Sequence, residues 1–262
     1  GDVVISNGMT FNTNGYQING PGRVVLGNNT TNIVTTAPNA TATIAAQIGG
    51  AGGITKSGTG TLTMSGNNQY TGQTLVNQGT LNINGNQSGA TNSVAIASGG
   101  TLGGIGTVGG NTTVSGTHRP GSSAGVGTQS FSQDLTYNNG SKVIWSLTDN
   151  TTALPDYTSV NVAGSLNITL GDTVTFSPIF SGAVDWSDPF WGVSHTGSSG
   201  WLLIEAGSIN ANIASILFDP LNPLNWLDAN NDTLQSARGS TFTFNLDTTD
   251  PNKIYLNYIY SP

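Results

Sequence analysis

The chain has 262 residues, of which 37 are glycine and only 7% are charged, and its formal net charge is −7. The six Lys and Arg residues are scattered singly, which argues against a basic patch that binds nucleic acid. Cysteine is absent, so disulfides, thiolate metal sites and cysteine nucleophiles are excluded. The apolar residues nevertheless recur at regular spacing, which indicates an ordered repetitive fold rather than a disordered polar chain.

The first 50 residues predict a series of short strands. Each candidate holds alternating or β-branched apolar residues and is bounded by Asn-Gly, Gly-Pro-Gly or similar turn signals. The candidate strands lie at 2–5, 9–11, 16–18, 23–26, 33–36 and 42–48. A glycine cluster at 49–53 then turns the chain into the central segment.

The central segment, residues 58–83, repeats a Gly-Thr-Leu triplet that occurs again further on. The triplets lie at 60–62, 79–81 and 100–102. A period of about 20 residues built from strands and turns is typical of a solenoid. Successive rungs of a parallel β-helix lie about 4.8 Å apart, so we expect Leu62, Leu81 and Leu102 to form an apolar column.

A long motif extends through this segment to Leu81. A glycine-led stretch with Lys56 is followed by the pattern G-x-G-x-L-x-x-S-G-x-N-x-Y-T-G-x-T-x-V-x-x-G-x-L. The specified positions are filled by Gly58, Gly60, Leu62, Ser65, Gly66, Asn67 or Asn68, Tyr70, Thr71, Gly72, Thr74, Val76, Gly79 and Leu81. The motif resembles the passenger-associated repeat of bacterial autotransporters, and residues 116–125 resemble the P-G-x-S-x-G turn that follows such repeats. The resemblance extends over about residues 20–170.

The resemblance implies an all-β chain that folds as a right-handed parallel β-helix, or β-solenoid. It also implies an extracellular protein or a protein of the bacterial cell surface, exported with its leader removed. The chain has no run of 18 apolar residues, so we expect no membrane insertion of this chain.

The chain becomes bulkier beyond the repeat. Glycine-bounded strand candidates continue at 94–97, 101–102, 107–108 and 112–114. All five tryptophans, however, lie beyond residue 144. We therefore predict solenoid rungs over residues 1–171 and a C-terminal β cap over residues 172–262.

The predicted cap contains one short helix and ends in a β-hairpin. Apolar residues at helical spacing, following Ser208 as a cap, predict the helix at 209–217. Two alternating runs, at 241–246 and 254–260, flank a Thr-Thr-Asp-Pro-Asn turn and predict the hairpin.

An aromatic loop at 181–200 is the main candidate binding site. It contains Trp186, Phe190 and Trp191, and we predict that it protrudes. Aromatic rings stack on sugar faces, so the loop is a candidate glycan contact. The alternative is that the three rings pack over the terminal rungs or against another subunit, since aromatic residues are enriched at interfaces.

Patterns typical of enzymes are present, but the secondary structure and partner residues that such sites need are not predicted around them. The G-x-G-x-x-G at 104–109 is followed by no helix pattern, and the G-x-S-x-G at 121–125 needs a strand-to-helix turn with a later Asp and His. Residues 1–133 hold a single carboxylate, Asp2, so regular rungs cannot supply the clustered acids of a glycosidase. Asp185 and Asp188, beside Trp186 and Trp191, are the only pair of carboxylates near aromatic residues, and acidic loop residues are usually just solvated. We expect no enzymatic activity and no cofactor.

A weak calcium candidate follows the predicted helix. Asp228, Asn230 and Asp232 match the D-x-N-x-D start of a calcium loop. Thr233 replaces the glycine at position six and Gly239 replaces the glutamate at position twelve, so the EF-hand pattern fails. An Asx-rich turn is the alternative interpretation.

These observations lead to two functional hypotheses. The first is a non-enzymatic structural β-solenoid of the cell surface that assembles with itself, head-to-tail or by strand donation, into a filament or matrix. The second is a monomeric surface adhesin or glycan-binding domain that uses the 186–191 loop. The expected partners are other copies of the chain or surface glycans, and no nucleic acid.

Overall fold

The computed structural model describes residues 1–27, 31–37, 39–122, 125–154, 156–219 and 241–260, with the backbone alone for 31–36. Within these ranges short strands predominate, no α-helix occurs, and three 3-10 helices lie at Pro189–Gly192, Gly197–Ser199 and Ile213–Ser215. None of these helices has the length and hydropathy that crossing a bilayer requires.

The strands follow one another at short intervals along the whole described chain. They are β1 (Val3–Ile5), β2 (Met9–Phe11), β3 (Tyr16–Ile18), β4 (Val24–Leu26), β5 (Thr31–Thr36), β6 (Thr41–Ile44), β7 (Ile48–Gly50), β8 (Gly53–Ser57), β9 (Thr61–Met64), β10 (Thr74–Ile83), β11 (Val94–Gly104), β12 (Thr107–Val108), β13 (Thr112–Val114), β14 (Thr117–Pro120), β15 (Gly127–Phe131), β16 (Leu135–Tyr137), β17 (Ser141–Leu147), β18 (Thr158–Ile168), β19 (Val174–Phe180), β20 (Trp201–Ala211), β21 (Ile216–Phe218), β22 (Thr241–Leu246) and β23 (Lys253–Ile259).

Parallel pairing connects each strand to one about a repeat further along the chain. β10 pairs in parallel with β8 and β9 before it and with β11 after it. The register aligns Leu81 with Leu62 on one side and with Leu102 on the other, and all three leucines are fully buried. The predicted leucine column is therefore confirmed, and the largely parallel sheet is consistent with a β-solenoid.

The interior column changes character along the chain. After Leu102 the same register position is occupied by buried His118, then by Val143 and Phe176. The column of the repeat leucines thus continues into the aromatic part of the chain, where buried Phe176 takes the same register position.

The asparagine and tyrosine of the motif connect neighbouring turns of the chain. Asn68 is buried, and its Oδ1 accepts a hydrogen bond from the Ile48 backbone N–H at 2.8 Å. Tyr70 is buried as well; its hydroxyl lies 2.5 Å from Thr74 Oγ1 and donates to Gln87 Oε1 of the next turn at 3.4 Å. Asn67 is exposed, so Asn68 is the residue that fulfils the structural role of the motif.

Gly79 occupies a corner that no other residue could occupy. Its φ is +70°, and a Cβ at this position would clash with the Gly58 carbonyl oxygen and approach Lys56 Nζ to 2.8 Å. Left-handed backbone angles and close approach of two turns both require glycine here. The Gly-Thr-Leu triplet therefore combines a corner residue with a core residue.

The chain ends in an antiparallel hairpin, as the alternating pattern predicts. β22 pairs with β23 in antiparallel register, and β23 also pairs in antiparallel register with β20. Parallel pairing continues before the hairpin through β17, β19 and β21. The predicted boundary between residues 171 and 172 stays a prediction.

The predicted helix at 209–217 is wrong. β20 continues to Ala211, a 3-10 turn follows, and β21 begins at Ile216. Ile209 and Ile216 lie opposite Leu166 and Val174 of preceding parallel strands, which supply backbone hydrogen bonds that a helix would forgo. Ser208 donates to Ser165 Oγ at 2.8 Å instead of capping a helix.

Truncation of the leucine column should destabilise the protein strongly. Leu81 lies fully buried between two leucines, so Leu81→Ala should lower the free energy of unfolding by about 2–5 kcal/mol, measured by chemical denaturation. Leu170→Ala is the control, because Leu170 is 83% exposed and its loss should change stability by less than about 0.5 kcal/mol. Equal effects of the two substitutions would contradict the column.

Candidate functional site

The predicted aromatic loop does not protrude. Trp186 and Trp191 are fully buried, and Phe190 is partly exposed. The loop folds back through the 3-10 helix Pro189–Gly192, whose first turn is capped by Asp188 Oδ1 accepting from the Phe190 N–H at 2.7 Å. Removing large aromatic surfaces from water favours this conformation over an extended one.

Trp191 lies at the centre of an aromatic cluster. Its ring stacks on Trp201 with centroids 5.7 Å apart and contacts the edges of Trp186 at 4.6 Å and Tyr258 at 4.9 Å. Tyr258 donates from its hydroxyl to the Trp191 carbonyl at 2.8 Å, and Trp191 Nε1 donates to Asn150 Oδ1 at 3.0 Å. The cluster attaches the loop to the terminal hairpin, which is the packing alternative given for these residues.

The most accessible ring of the cluster also has a protein neighbour. Phe190 stacks on His195 with centroids 4.0 Å apart, and His195 Nε2 donates to the Phe190 carbonyl at 2.9 Å. A sugar would need an open ring face, and neither Trp186 nor Trp191 offers one in this structure. The glycan or subunit contact of this loop stays a prediction, with Phe190 as its only partly accessible ring.

The two carboxylates of the loop belong to local turns. Asp185 Oδ1 accepts from the Ser187 N–H at 2.8 Å and from the Ser187 hydroxyl at 2.7 Å, and Asp188 caps the 3-10 helix. Within the described ranges no three His, Asp or Glu side chains come together as a metal site would require. The loop therefore has the geometry of a folded connection between strands β19 and β20.

The other candidate sites from the sequence either lie outside the described residues or form part of a turn. Asp228, Asn230 and Asp232, the weak calcium candidate, lie outside the described residues, as does Ser123 of the G-x-S-x-G pattern. The G-x-G-x-x-G residues lie at the end of β11 and in β12. They form a strand-to-strand turn, whereas a dinucleotide site requires a helix after the motif.

A buried lysine was not anticipated from the sequence. Lys56 is fully buried, and its Nζ donates to the carbonyl oxygens of Gly58 at 2.6 Å, Gln78 at 3.0 Å and Ser57 at 3.1 Å. The ammonium group thereby joins one corner of the chain to the corner of the next turn. Burial lowers the pKa of Lys56 to about 8. A single lysine within a nearly charge-free repeat was the signal that could have revealed this role.

His118 forms a second buried polar centre. Its Nε2 donates to Gln129 Oε1 at 2.9 Å, and its Nδ1 accepts from the Tyr137 hydroxyl at 2.5 Å. Gln129 Nε2 in turn donates to the Gly103 carbonyl at 2.8 Å. Burial lowers the pKa of His118 to about 4, so the ring is neutral at pH 7. Because His118 is fully buried, it links neighbouring turns and is not accessible as a catalytic base.

Comparison with known proteins finds a match to a family model in the central segment. Residues 54–83 match the model of the passenger-associated-transport-repeat. The chain carries a passenger-associated transport repeat. The resemblance noted in the sequence is thus confirmed. Within this transport repeat Lys56, Asn68 and Tyr70 hydrogen-bond to neighbouring turns, and Gly79 allows two turns to approach closely.

Several relatives share longer segments with the chain. An adhesin, the BmaC autotransporter of Brucella suis biovar 1 (strain 1330), is 46% identical over 65 residues, which is 25% of this chain and 2% of the adhesin. Two proteins of Serratia marcescens described as extracellular serine protease are 38% identical over 104 residues and 36% identical over 102 residues, in each case 39% of this chain and 10% of the relative. The matches therefore span a small fraction of each relative's length.

The buried lysine of the transport repeat should stabilise the fold in a pH-dependent manner. Lys56→Met leaves three carbonyl oxygens without their donor, so we expect a loss of about 1–3 kcal/mol in the free energy of unfolding at pH 7. Between pH 8 and the ordinary lysine pKa of 10.5, the folded protein binds fewer protons than the unfolded chain. Wild type should therefore gain stability relative to K56M as the pH rises through this range.

The test is chemical denaturation of both proteins at several pH values. Arg23→Met is the matched control, since Arg23 forms an exposed ion pair with Asp2 at 2.9 Å and exposed pairs contribute little. A constant difference between wild type and K56M from pH 8 to 10.5 would contradict the lowered pKa of Lys56.

Proposed function

We propose that this chain is a right-handed β-solenoid segment of an extracellular bacterial passenger protein, and that its role is structural and non-enzymatic. The observation that carries the proposal is the parallel register that stacks Leu62, Leu81 and Leu102 around a transport repeat. Residues 1–171 supply the rungs, and residues 172–262 form the bulkier C-terminal cap.

The filled interior supports a structural role. A cavity of about 30 Å³ lies inside the C-terminal half, lined by apolar residues such as Val143, Trp145, Phe176 and Leu203. A space of this size holds about one water molecule and admits no substrate. This cavity therefore gives no room for catalysis, and the carboxylates of residues 1–133 amount to Asp2 alone.

We further propose that the first strands are an assembly edge. Among the described residues β1, β2 and β3 each pair on one side only, with β4, β5 and β6. Exposed apolar side chains lie on these strands, with Val3 at 58%, Val4 at 63% and Tyr16 at 56% exposure. Unpaired strand edges accept further strands. Another copy could add there, head-to-tail or by strand donation, and extend into a filament or matrix.

The oligomeric state across a concentration series tests this proposal. Light scattering and negative-stain microscopy should show growth into fibres of regular width for the wild type, and Val4→Lys should suppress it because an edge lysine repels an incoming strand. Val193→Lys is the control, since Val193, at 58% exposure, is nearly as exposed as Val4 but lies in the loop before β20. Monodisperse particles of wild type at all concentrations would refute assembly.

An adhesive role is the second candidate, because the chain is 46% identical over 65 residues to an autotransporter adhesin. The aromatic loop was the predicted contact for this role. Since Trp186 and Trp191 are buried, an adhesive contact with a surface glycan is better sought on the outer faces of the strands.

A further inference from the structure

A polar groove follows the outer face of strands β9, β10, β11 and β14. Its volume is about 470 Å³, and threonine, asparagine and arginine side chains line it together with residues of the 121–122 turn and one apolar residue, Ile144. The leucine column lies directly behind it, because successive residues of a strand point to opposite faces. The groove thus lies on the regularly repeating part of the chain, directly over its buried leucine core.

Strand register arranges the groove in two columns. Thr80 lies opposite Thr61 and Thr101, and Thr101 lies opposite Thr117, so four hydroxyl-bearing side chains follow one another about 4.8 Å apart. The second column, two residues further along each strand, is formed by Thr63, Asn82, Gly103 and Arg119. Gly103 has no side chain, and the Asn82 amide lies over it, with Oδ1 2.6 Å from the place that a Cβ would take, so Asn82 and Arg119 are neighbouring polar groups in this column.

The side chains of the groove have unused hydrogen-bonding capacity. Within the part of the chain that the structure describes, no side-chain hydrogen bond joins Thr61, Thr80, Thr101 or Thr117 to protein. Asn82 likewise makes none there. Each threonine hydroxyl is both a donor and an acceptor, and an amide offers both functions too. The groove can therefore bond to a ligand that carries many hydroxyl groups.

Arg119 lacks the partner that every other described cation has. Arg23 pairs with Asp2 at 2.9 Å, Lys142 with Asp219 at 2.7 Å and Lys253 with Asp250 at 3.1 Å. Lys56 is held by three carbonyl oxygens. Arg119, by contrast, is exposed and makes no ion pair within the described ranges.

The charge distribution favours an anionic ligand at Arg119. The single carboxylate of residues 1–133, Asp2, is already bound to Arg23. An arginine guanidinium matches the planar geometry of a carboxylate or sulfate group through two parallel hydrogen bonds. One cation without a stacking aromatic platform is too little for nucleic acid, which requires several phosphate contacts.

We propose that this groove binds an acidic oligosaccharide. Arg119 holds the acid group, and the threonine column with Asn82 bonds to sugar hydroxyls along the extended chain. This assignment rests on the adhesive candidate above, for which it names a surface and a ligand class, and it does not require self-assembly.

The test is titration calorimetry of the full chain with defined oligosaccharides of equal length. The probes are oligogalacturonate, which carries carboxylates, a heparin oligosaccharide, which carries sulfates as well, and a neutral cello-oligosaccharide. We expect at least one acidic probe to bind, the neutral probe to bind about tenfold more weakly or not at all, and Arg119→Gln to reduce affinity for the acidic probe about tenfold or more. Comparison of the affinities for the two acidic probes shows whether the groove prefers carboxylate or sulfate groups.

Matched variants separate the groove from the rest of the surface. Thr80→Val combined with Thr101→Val removes two hydroxyls at nearly constant shape and should weaken binding, whereas Lys253→Gln and Thr113→Val, both outside the groove, should not. Thermal melts of all variants confirm that each is folded.

Failure of every acidic probe to bind at millimolar concentration, or equal affinity of wild type and R119Q, would overturn the assignment. Equal affinity of wild type and R119Q for a probe that does bind would still leave an adhesive role elsewhere on the chain.

Discussion

The in-register parallel pairing of strands is the interaction on which the rest of the structure depends. It satisfies backbone hydrogen bonds between successive turns and places equivalent residues of each turn above one another. One short strand contributes too few inward side chains to form a core by itself. The leucine column, the corner glycines and the outer threonine column all arise because the same register repeats.

Sequence periodicity was a reliable guide wherever it continued over several turns. The Gly-Thr-Leu spacing predicted the leucine column, and the alternation at 241–246 and 254–260 predicted the hairpin, because both patterns reflect side chains that alternate between core and solvent. The spacing of Ile209, Ile213 and Ile216 predicted a helix that the structure does not contain. A few apolar residues at intervals of three or four also fit strand ends joined by a short turn.

Contacts between residues that are far apart in the sequence could not be predicted from the sequence alone. Trp191 packs against Tyr258 of the terminal hairpin, which is far from the loop in the sequence and is brought beside it by the pairing of β23 with β20. The carbonyl partners of Lys56 come from two different turns. The groove likewise results from four strands in register, and its threonines resemble ordinary solvent-facing strand residues when each strand is considered alone.

The uneven distribution of carboxylates has a consequence for the way the molecule responds to salt. Twelve of the thirteen acidic side chains follow residue 133, and the single carboxylate before it, Asp2, is paired with Arg23. Negative charge is therefore concentrated in the C-terminal half of the sequence, while the transport-repeat half is nearly uncharged. Added salt would screen electrostatic repulsion between molecules mainly at their C-terminal halves, and would leave the hydroxyl-rich surface of the transport-repeat half almost unaffected.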